Sequence, residues 1–382
     1  MSVKTHGLGV FLELRKRLQS GLLVVGTNVA GGPADVAVSV GGDSSLLVRT
    51  PRGELSLALP AGVAFETGSC IHTPVGEPSG EELHFRLRIT TERSKQEGPA
   101  SMMETLKAKE TYSFHCQGCT TRLLEDRVFS RVLPLPNGNW NAIVDDWCCH
   151  PDPFANKKLL PRAEDCLLGD TFVLVARDAG CDHTLTQEKP CHRLALVSCA
   201  SCSSVLGEAV APGTLKLYIT QVVVQPAVGD GRNSVRSSFL EKTVAARLLD
   251  LSSSLSSFHF SLQTPDGKVV LLLWLLNADS IIASVPETCI REGGSSGPPA
   301  SLSPSLRAAR ALKLLYISCS SASTQQREIV TSWEVNSIGH PMVLPLQVCE
   351  ELLQVMDESN STLPASMRCM RSYEVRRLQK PP

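Results

Sequence analysis

The sequence predicts a β-rich α+β fold in three successive parts, and three observations carry that reading. Near the start, short apolar runs alternate with polar residues and are broken by turn-forming Pro and Gly, the pattern of an antiparallel sheet packed on one side. Farther on, Cys116-Gln117-Gly118-Cys119 and Cys199-Ala200-Ser201-Cys202 each stand beside strand-like residues. In the last part, apolar residues at helical spacing are interleaved with extended runs. These observations divide the chain into an N-terminal β-rich domain over 1–108, a cysteine-clasped β region over 109–212 and a C-terminal mixed α/β part over 213–382.

In the first part, Val10 to Arg15 and Leu22 to Val25 read as strands. Leu46 to Thr50 and Leu55 to Leu59 flank Pro51-Arg52-Gly53-Glu54, so they predict a hairpin. His84 to Ile89 alternates strictly, with Phe85, Leu87 and Ile89 on one face. Thr91 to Ser101 reads as a loop. In the second part, Tyr112-Ser113-Phe114 leads as a strand into Cys116, and Val132 to Pro136 is extended. Leu206-Gly207-Glu208 places a glycine where a cysteine knuckle turns into its next strand.

In the third part, Leu215 to Val224 predicts one strand and Pro226 to Arg236 a loop. Ser238 and Glu241 have capping-box spacing, with Leu240, Val244 and Leu248 on one helical face. Phe258 to Leu262 alternates, Pro265-Asp266-Gly267 turns, and the apolar run Val269 to Leu276 predicts a buried strand. Gly293 to Ser305 reads as a loop. Leu306 to Tyr316 and Pro345 to Met356 read as helices.

Composition narrows the function classes. With 382 residues the chain has room for two or three domains. A net charge of −1 lacks the basic footprint of a nucleic-acid or anionic-membrane binder, so neither partner is expected. Val269 to Leu276 falls far short of the ~20 apolar residues a spanning helix needs, and no leader-like segment follows Met1. The expected setting is therefore the reducing cytoplasm and nucleus, where 14 cysteines read as metal ligands, nucleophiles or core residues.

The two C-x-x-C pairs carry the strongest chemistry. Two residues between thiolates let a tight turn aim both sulfurs at one ion, and two such knuckles complete a tetrahedral cage. Cys116, Cys119, Cys199 and Cys202 therefore predict one structural zinc ion, with no coordination position left open for water. Trp147-Cys148-Cys149-His150-Pro151-Asp152-Pro153 supports two readings. Its prolines hold it extended, so it presents a soft ligand outward, to a partner's metal or as a nucleophile, or else Trp140, Trp147 and Phe154 plug the core. Cys349 also has two readings: a nucleophile near a helix start with a lowered pKa, or a buried helical cysteine. No phosphate-cradling glycine loop and no hydrolase constellation is present in the sequence.

Several of these stretches together resemble one family. They are Val10-Phe11-Leu12-Glu13, Arg131-Val132-Leu133-Pro134-Leu135-Pro136, Trp147 to Lys157, Cys199 and Cys202 with Leu206-Gly207-Glu208, and Leu272-Leu273-Trp274-Leu275-Leu276-Asn277. The chain is similar to the small HECT-like ubiquitin-protein ligases described as binding ubiquitin-conjugating enzymes and cyclin B. The resemblance implies ubiquitin transfer from a conjugating enzyme to substrate lysines, marking cyclin B-type proteins for degradation. It implies a HECT-like segment over Leu346 to Pro382 with Cys349 as nucleophile, although Val348 and Glu350 stand where a HECT cysteine has Thr and Phe. It also implies a conjugating-enzyme contact near Leu217 to Leu249. In the Trp-Cys-Cys-His-Pro motif the chain is also similar to proteins that dock on metallo-β-lactamase-type RNA endonucleases. An alternative function is thus a non-catalytic partner of the cleavage and polyadenylation endonuclease, acting through Trp147 to Pro153.

Overall fold

A computed structural model of the protein describes residues 8–41, 44–74, 81–92, 102–136, 138–141, 144, 158–187, 195–226, 235–290 and 306–380. The chain forms two compact units, each drawn from separated stretches. The first takes Met1–Pro99, Leu271–Ile338 and Leu353–Pro382, and the second Ala100–Val270 and Gly339–Leu352. Consecutive segments (1–108, 109–212, 213–382) have no means of showing such an arrangement. Among the described residues the longer helices are α1 (Arg236–Leu255), α2 (Thr324–Val335) and α3 (Leu346–Ser361). Among the described residues no helix is long and apolar enough to cross a membrane.

The first unit is built on the strand Leu8–Arg15, which pairs antiparallel with Ser20–Gly26 on one side and Val269–Pro286 on the other. Glu82–Thr91 extends the sheet beyond Ser20–Gly26. Beyond Val269–Pro286 come Ala309–Ser318 and then Tyr373–Gln379. Both faces of the first strand are covered, so Val10 to Leu14 is a continuous apolar run interrupted only by Glu13. Val10, Leu12 and Leu14 pack with Leu23, Val25, Phe85, Leu87 and Ile89. Phe11 faces the other way, with Val24, Leu315, Leu363 and Val375. A separate sheet holds Ala37–Gly41 and the predicted hairpin of Ser45–Thr50 and Gly53–Ala58.

One helix expected in this unit is a strand. The structure places Leu306 to Tyr316 in Leu306–Arg307 and Ala309–Ser318, and the longer strand is paired along both edges. Ala311, Leu312, Leu314, Leu315, Tyr316 and Ile317 are all buried. A strand covered on both faces loses its alternation, and its apolar residues then satisfy helical spacing as well.

Glu13, the charged residue in that first strand, is fully buried beside the equally buried Arg377 of the last, 3.0 Å away. Burial would raise its pKa, but Arg377, Lys313 and Arg15 outweigh that and hold the carboxyl below its ordinary 4.5. An ion pair with both partners out of water tolerates the loss of neither.

The second unit holds a three-stranded sheet, in the order Arg122–Val128, Thr111–Cys116, Val222–Pro226. A seven-stranded sheet runs through Arg131–Pro134, Asp165–Leu168, Phe172–Ala176, Thr214–Tyr218, Val205–Ala211, Ala195–Cys199 and Leu185–Gln187. The single strand expected over Leu215 to Val224 is two, Thr214–Tyr218 and Val222–Pro226, one in each sheet. The chain turns between them where the Gln221 amide donates to the Tyr218 carbonyl. Gly207 lies inside Val205–Ala211 rather than at a turn. A Cβ there would come within 1.8 Å of the Lys216 carbonyl oxygen, so close strand approach is what requires the glycine.

Helix α1 buries Leu240, Val244 and Leu248 as its periodicity predicts, together with Ala245, Ala246 and Leu251. The expected capping box is absent: the helix begins at Arg236, and Ser238 lies within its first turn. The Arg236 guanidinium anchors this end, donating to Glu351, to Gln117 and to the Thr220 carbonyl. Farther along, Arg247 reaches the Asp170 carboxylate at 3.0 Å, and His340 Nε2 lies 2.6 Å from the same group.

Replacing Glu13 with Ala is expected to destabilise the protein by about 3–5 kcal/mol in chemical denaturation, because Arg377 keeps a buried charge with no counter-ion. The Glu13 contribution is present above its unfolded pKa near 4.5 and is lost as pH falls through the lower folded value. The acid limb of stability should therefore flatten in Glu13→Ala. An unaltered acid limb would mean that Glu13 does not titrate in this way.

Candidate metal centre

Two hairpin ends in the second unit converge on one point. The strand Thr111–Cys116 delivers Cys116 and Cys119, and the strand Ala195–Cys199 delivers Cys199 and Cys202. The two knuckles fold alike. In the first, the Cys116 amide donates to the Thr121 carbonyl and the Thr120 amide to the Cys116 carbonyl, both at 2.8 Å. In the second, Cys199 and Ser204 repeat the first bond and Ser203 and Cys199 the second, both at 2.9 Å. Thr120 (φ 63°) and Ser203 (φ 60°) both take the left-handed conformation. For a β-branched residue such as Thr120 this is strained.

The four sulfurs lie within 4.8 Å of one another. Cys116 to Cys202 and Cys119 to Cys199 are each 3.6 Å. Metal–sulfur bonds of about 2.3 Å in a tetrahedron place sulfurs roughly 3.8 Å apart, so this donor set fits a four-coordinate metal ion. Cys116 and Cys199 are fully buried, whereas Cys202 is exposed.

The surroundings of the sulfurs are uneven. Burial pushes the Cys116 thiol up to about 12, against backbone amides of Cys119 and Gly118 that donate to it. Burial also raises Cys199, against the amides of Cys202 and Ser201. At Cys119 burial is overcome by the Thr121 hydroxyl and amide and by the neighbouring sulfurs, and the thiol falls to about 6. Four thiolates at this spacing would repel one another, and a divalent cation would let them share the space. Loading the site therefore releases protons.

A groove of about 860 Å³ adjoins the first knuckle. Its floor carries Gln117, Val223 and Gln225, and its rim the Arg236–Glu351 ion pair (2.7 Å) and Phe239. Gly118, Thr120 and Ser204 of the two knuckles form one wall. Nothing in the sequence pairs Arg236 with Glu351. The hydroxyls of Thr121 and Ser204 were equally unpredicted, although a signal existed: each stands two places after the second cysteine of its knuckle.

The structure does not bring Cys349 into this centre. Cys349 sits in the first turn of α3, fully buried, its sulfur 3.8 Å from the Leu344 carbonyl. Burial, and then the charge of Glu350, push its thiol up to about 12. Proximity to the helix start does not offset that desolvation. Trp147, Cys148, Cys149, His150, Pro151, Asp152 and Pro153 lie outside the described residues. On either side of them, the Asn141 side chain makes two 2.9 Å bonds to the Leu159 backbone, one to N–H and one to C=O.

A family model described as HECT-like Ubiquitin-conjugating enzyme (E2)-binding matches residues 13–375. The chain is also similar to curated proteins named as E3 ubiquitin-protein ligases. The one from Mus musculus is 41% identical over 382 residues, covering 98% of this chain and 99% of that protein. The one from Rattus norvegicus is 41% identical over 384 residues, covering 98% of each. The one from Homo sapiens is 35% identical over 389 residues, covering 96% of each. No solved structure matches.

Elemental analysis of the purified protein should find one metal equivalent per chain. Replacing the Cys116/Cys119 pair or the Cys199/Cys202 pair with Ser should each remove all of it. Two partial, independent losses would overturn a shared centre.

Proposed function

Because this chain belongs to the HECT-like ubiquitin-conjugating enzyme (E2)-binding family, we propose that it docks a conjugating enzyme and directs ubiquitin onto substrate lysines. The observation that carries this reading is the groove. Gln221, Val223, Gln225, Arg236 and Phe239 all line it, and all fall within Leu217 to Leu249, where the family resemblance expects the conjugating-enzyme contact. An aromatic residue and a part-buried arginine side by side are the residue types that dominate interface energies. The names of the relatives, ubiquitin-protein ligases over their whole length, support the same activity.

The four-cysteine centre has a structural part in this proposal, and its ion is zinc. Four thiolates suit a soft-ligand tetrahedral ion and leave no open position for a reacting water. The ion holds the knuckle wall of the groove in place. Cyclin B-type substrates, passage of the product to degradation, and a cytoplasmic and nuclear location belong to the same proposal, on the resemblance alone.

Relay of ubiquitin through a cysteine of this chain needs an accessible thiolate. Cys349, buried and held protonated, supplies none in this conformation. In this reading ubiquitin passes directly from the conjugating enzyme, and a relay through another cysteine, such as the exposed Cys369, is the outcome that would replace it. The substrate lysine amine attacks the thioester carbonyl, an amide C–N bond forms, the C–S bond breaks, and the departing thiolate takes up the proton the amine loses. The chain contributes binding and orientation.

Titration with a panel of conjugating enzymes should show at least one that binds, with Phe239→Ala weakening it by tenfold or more, the scale of an aromatic anchor worth about 2 kcal/mol. Equal affinity in Phe239→Ala and Arg236→Ala would remove the groove from the contact. In a reconstituted ubiquitin reaction, no thiol-reducible ubiquitin adduct of this chain is expected. One that disappears in Cys349→Ser would replace direct transfer with a relay.

A further inference from the structure

The four sulfurs of the metal centre carry unequal numbers of hydrogen-bond donors from the backbone. In each knuckle the first cysteine accepts from two amides: Cys116 from Gly118 and Cys119, Cys199 from Ser201 and Cys202. The second cysteine of each knuckle is met by a hydroxyl, which at Cys119 stands beside the Thr121 amide. Thr121 Oγ1 lies 3.1 Å from the Cys119 sulfur, and Ser204 Oγ lies 3.2 Å from that of Cys202.

The repetition has a backbone cause. In both knuckles the residue after the second cysteine is left-handed, Thr120 at φ 63° and Ser203 at φ 60°. That turn folds the next side chain back over the sulfur. The Ser204 hydroxyl also stands where the knuckles approach each other. A Cβ on Gly118 of the first knuckle would lie 3.1 Å from Ser204 Oγ of the second, and 3.8 Å from both Cys116 Sγ and Cys202 Sγ.

Four thiolates around a dication leave two negative charges in a site where two of the ligands are wholly buried. Every N–H or O–H aimed at a sulfur offsets part of that charge, and such outer donors set metal affinity. The sulfurs of Cys119 and Cys202 are the ones on which side chains supply this.

We infer that Thr121 and Ser204 are positioning residues of the metal centre, each donating its hydroxyl hydrogen to the thiolate of the second cysteine in its own knuckle. The inference rests on the four-cysteine centre being a metal site, and it is independent of the ubiquitin reading. Removing both hydroxyls weakens metal binding without removing a ligand. It also raises the energy of the sulfur lone pairs, so ligand-to-metal charge transfer moves to longer wavelength.

The experiment uses the full chain with zinc, and separately with Co²⁺ as an optical probe. Competition against a chromophoric chelator measures zinc affinity in the native protein, Thr121→Val, Ser204→Ala, the double variant, and the hydroxyl-retaining Thr121→Ser and Ser204→Thr. Each hydroxyl loss should weaken zinc binding by about tenfold or more, and the thiolate-to-cobalt band should shift to the red. Thr121→Ser and Ser204→Thr should stay at native affinity. A double variant with native affinity and an unshifted cobalt band would overturn the inference. So would Thr121→Ser or Ser204→Thr losing as much affinity as Thr121→Val or Ser204→Ala, since shape and not the hydroxyl would then matter. A native chain that takes up neither metal would instead overturn the metal centre itself.

Discussion

Four thiol sulfurs brought within 4.8 Å of one another, from knuckles 80 positions apart, are the constraint on which the second unit depends. Cys116 ends a strand of the three-stranded sheet and Cys199 a strand of the seven-stranded one. Both are fully buried in one apolar cluster with Phe114, Leu206, Leu217 and Val222. The sulfurs therefore close a core that hydrophobic packing already assembles. An ion bound there ties the two sheets at the point where their strands end, and its stabilisation grows with the length of chain between the knuckles.

The groove inherits its shape from this arrangement. One wall is knuckle backbone, the floor is the outer face of the three-stranded sheet, and the rim is the first turns of α1 and α3. Arg236 holds that rim together by bonding to Glu351, Gln117 and Thr220, which come from three different stretches of sequence. A conjugating enzyme resting there would contact a surface with knuckle backbone along one wall.

The first unit has its own analogue in the Glu13–Arg377 pair. A carboxylate in the first strand and a guanidinium in the last meet with no water between them. Such a pair adds little net stability over an apolar substitute but penalises every register that separates the charges.

By itself the sequence determined what depends on local pattern. The alternation in His84 to Ile89, the hairpin around Pro51-Arg52, the helical face of Leu240, Val244 and Leu248, and the two knuckles whose four sulfurs converge were all legible, because turn chemistry and periodicity act over a few residues. Tertiary structure decided the rest. Leu306 to Tyr316 became strands because the longer of them is paired along both edges and buried on both faces, which erases the two-residue period. Arg236 replaced a capping box as the anchor of α1 because its partners lie as far as 119 positions away. The burial that pushes the Cys349 thiol up, against the pull of a helix start, is likewise a property of the packed chain.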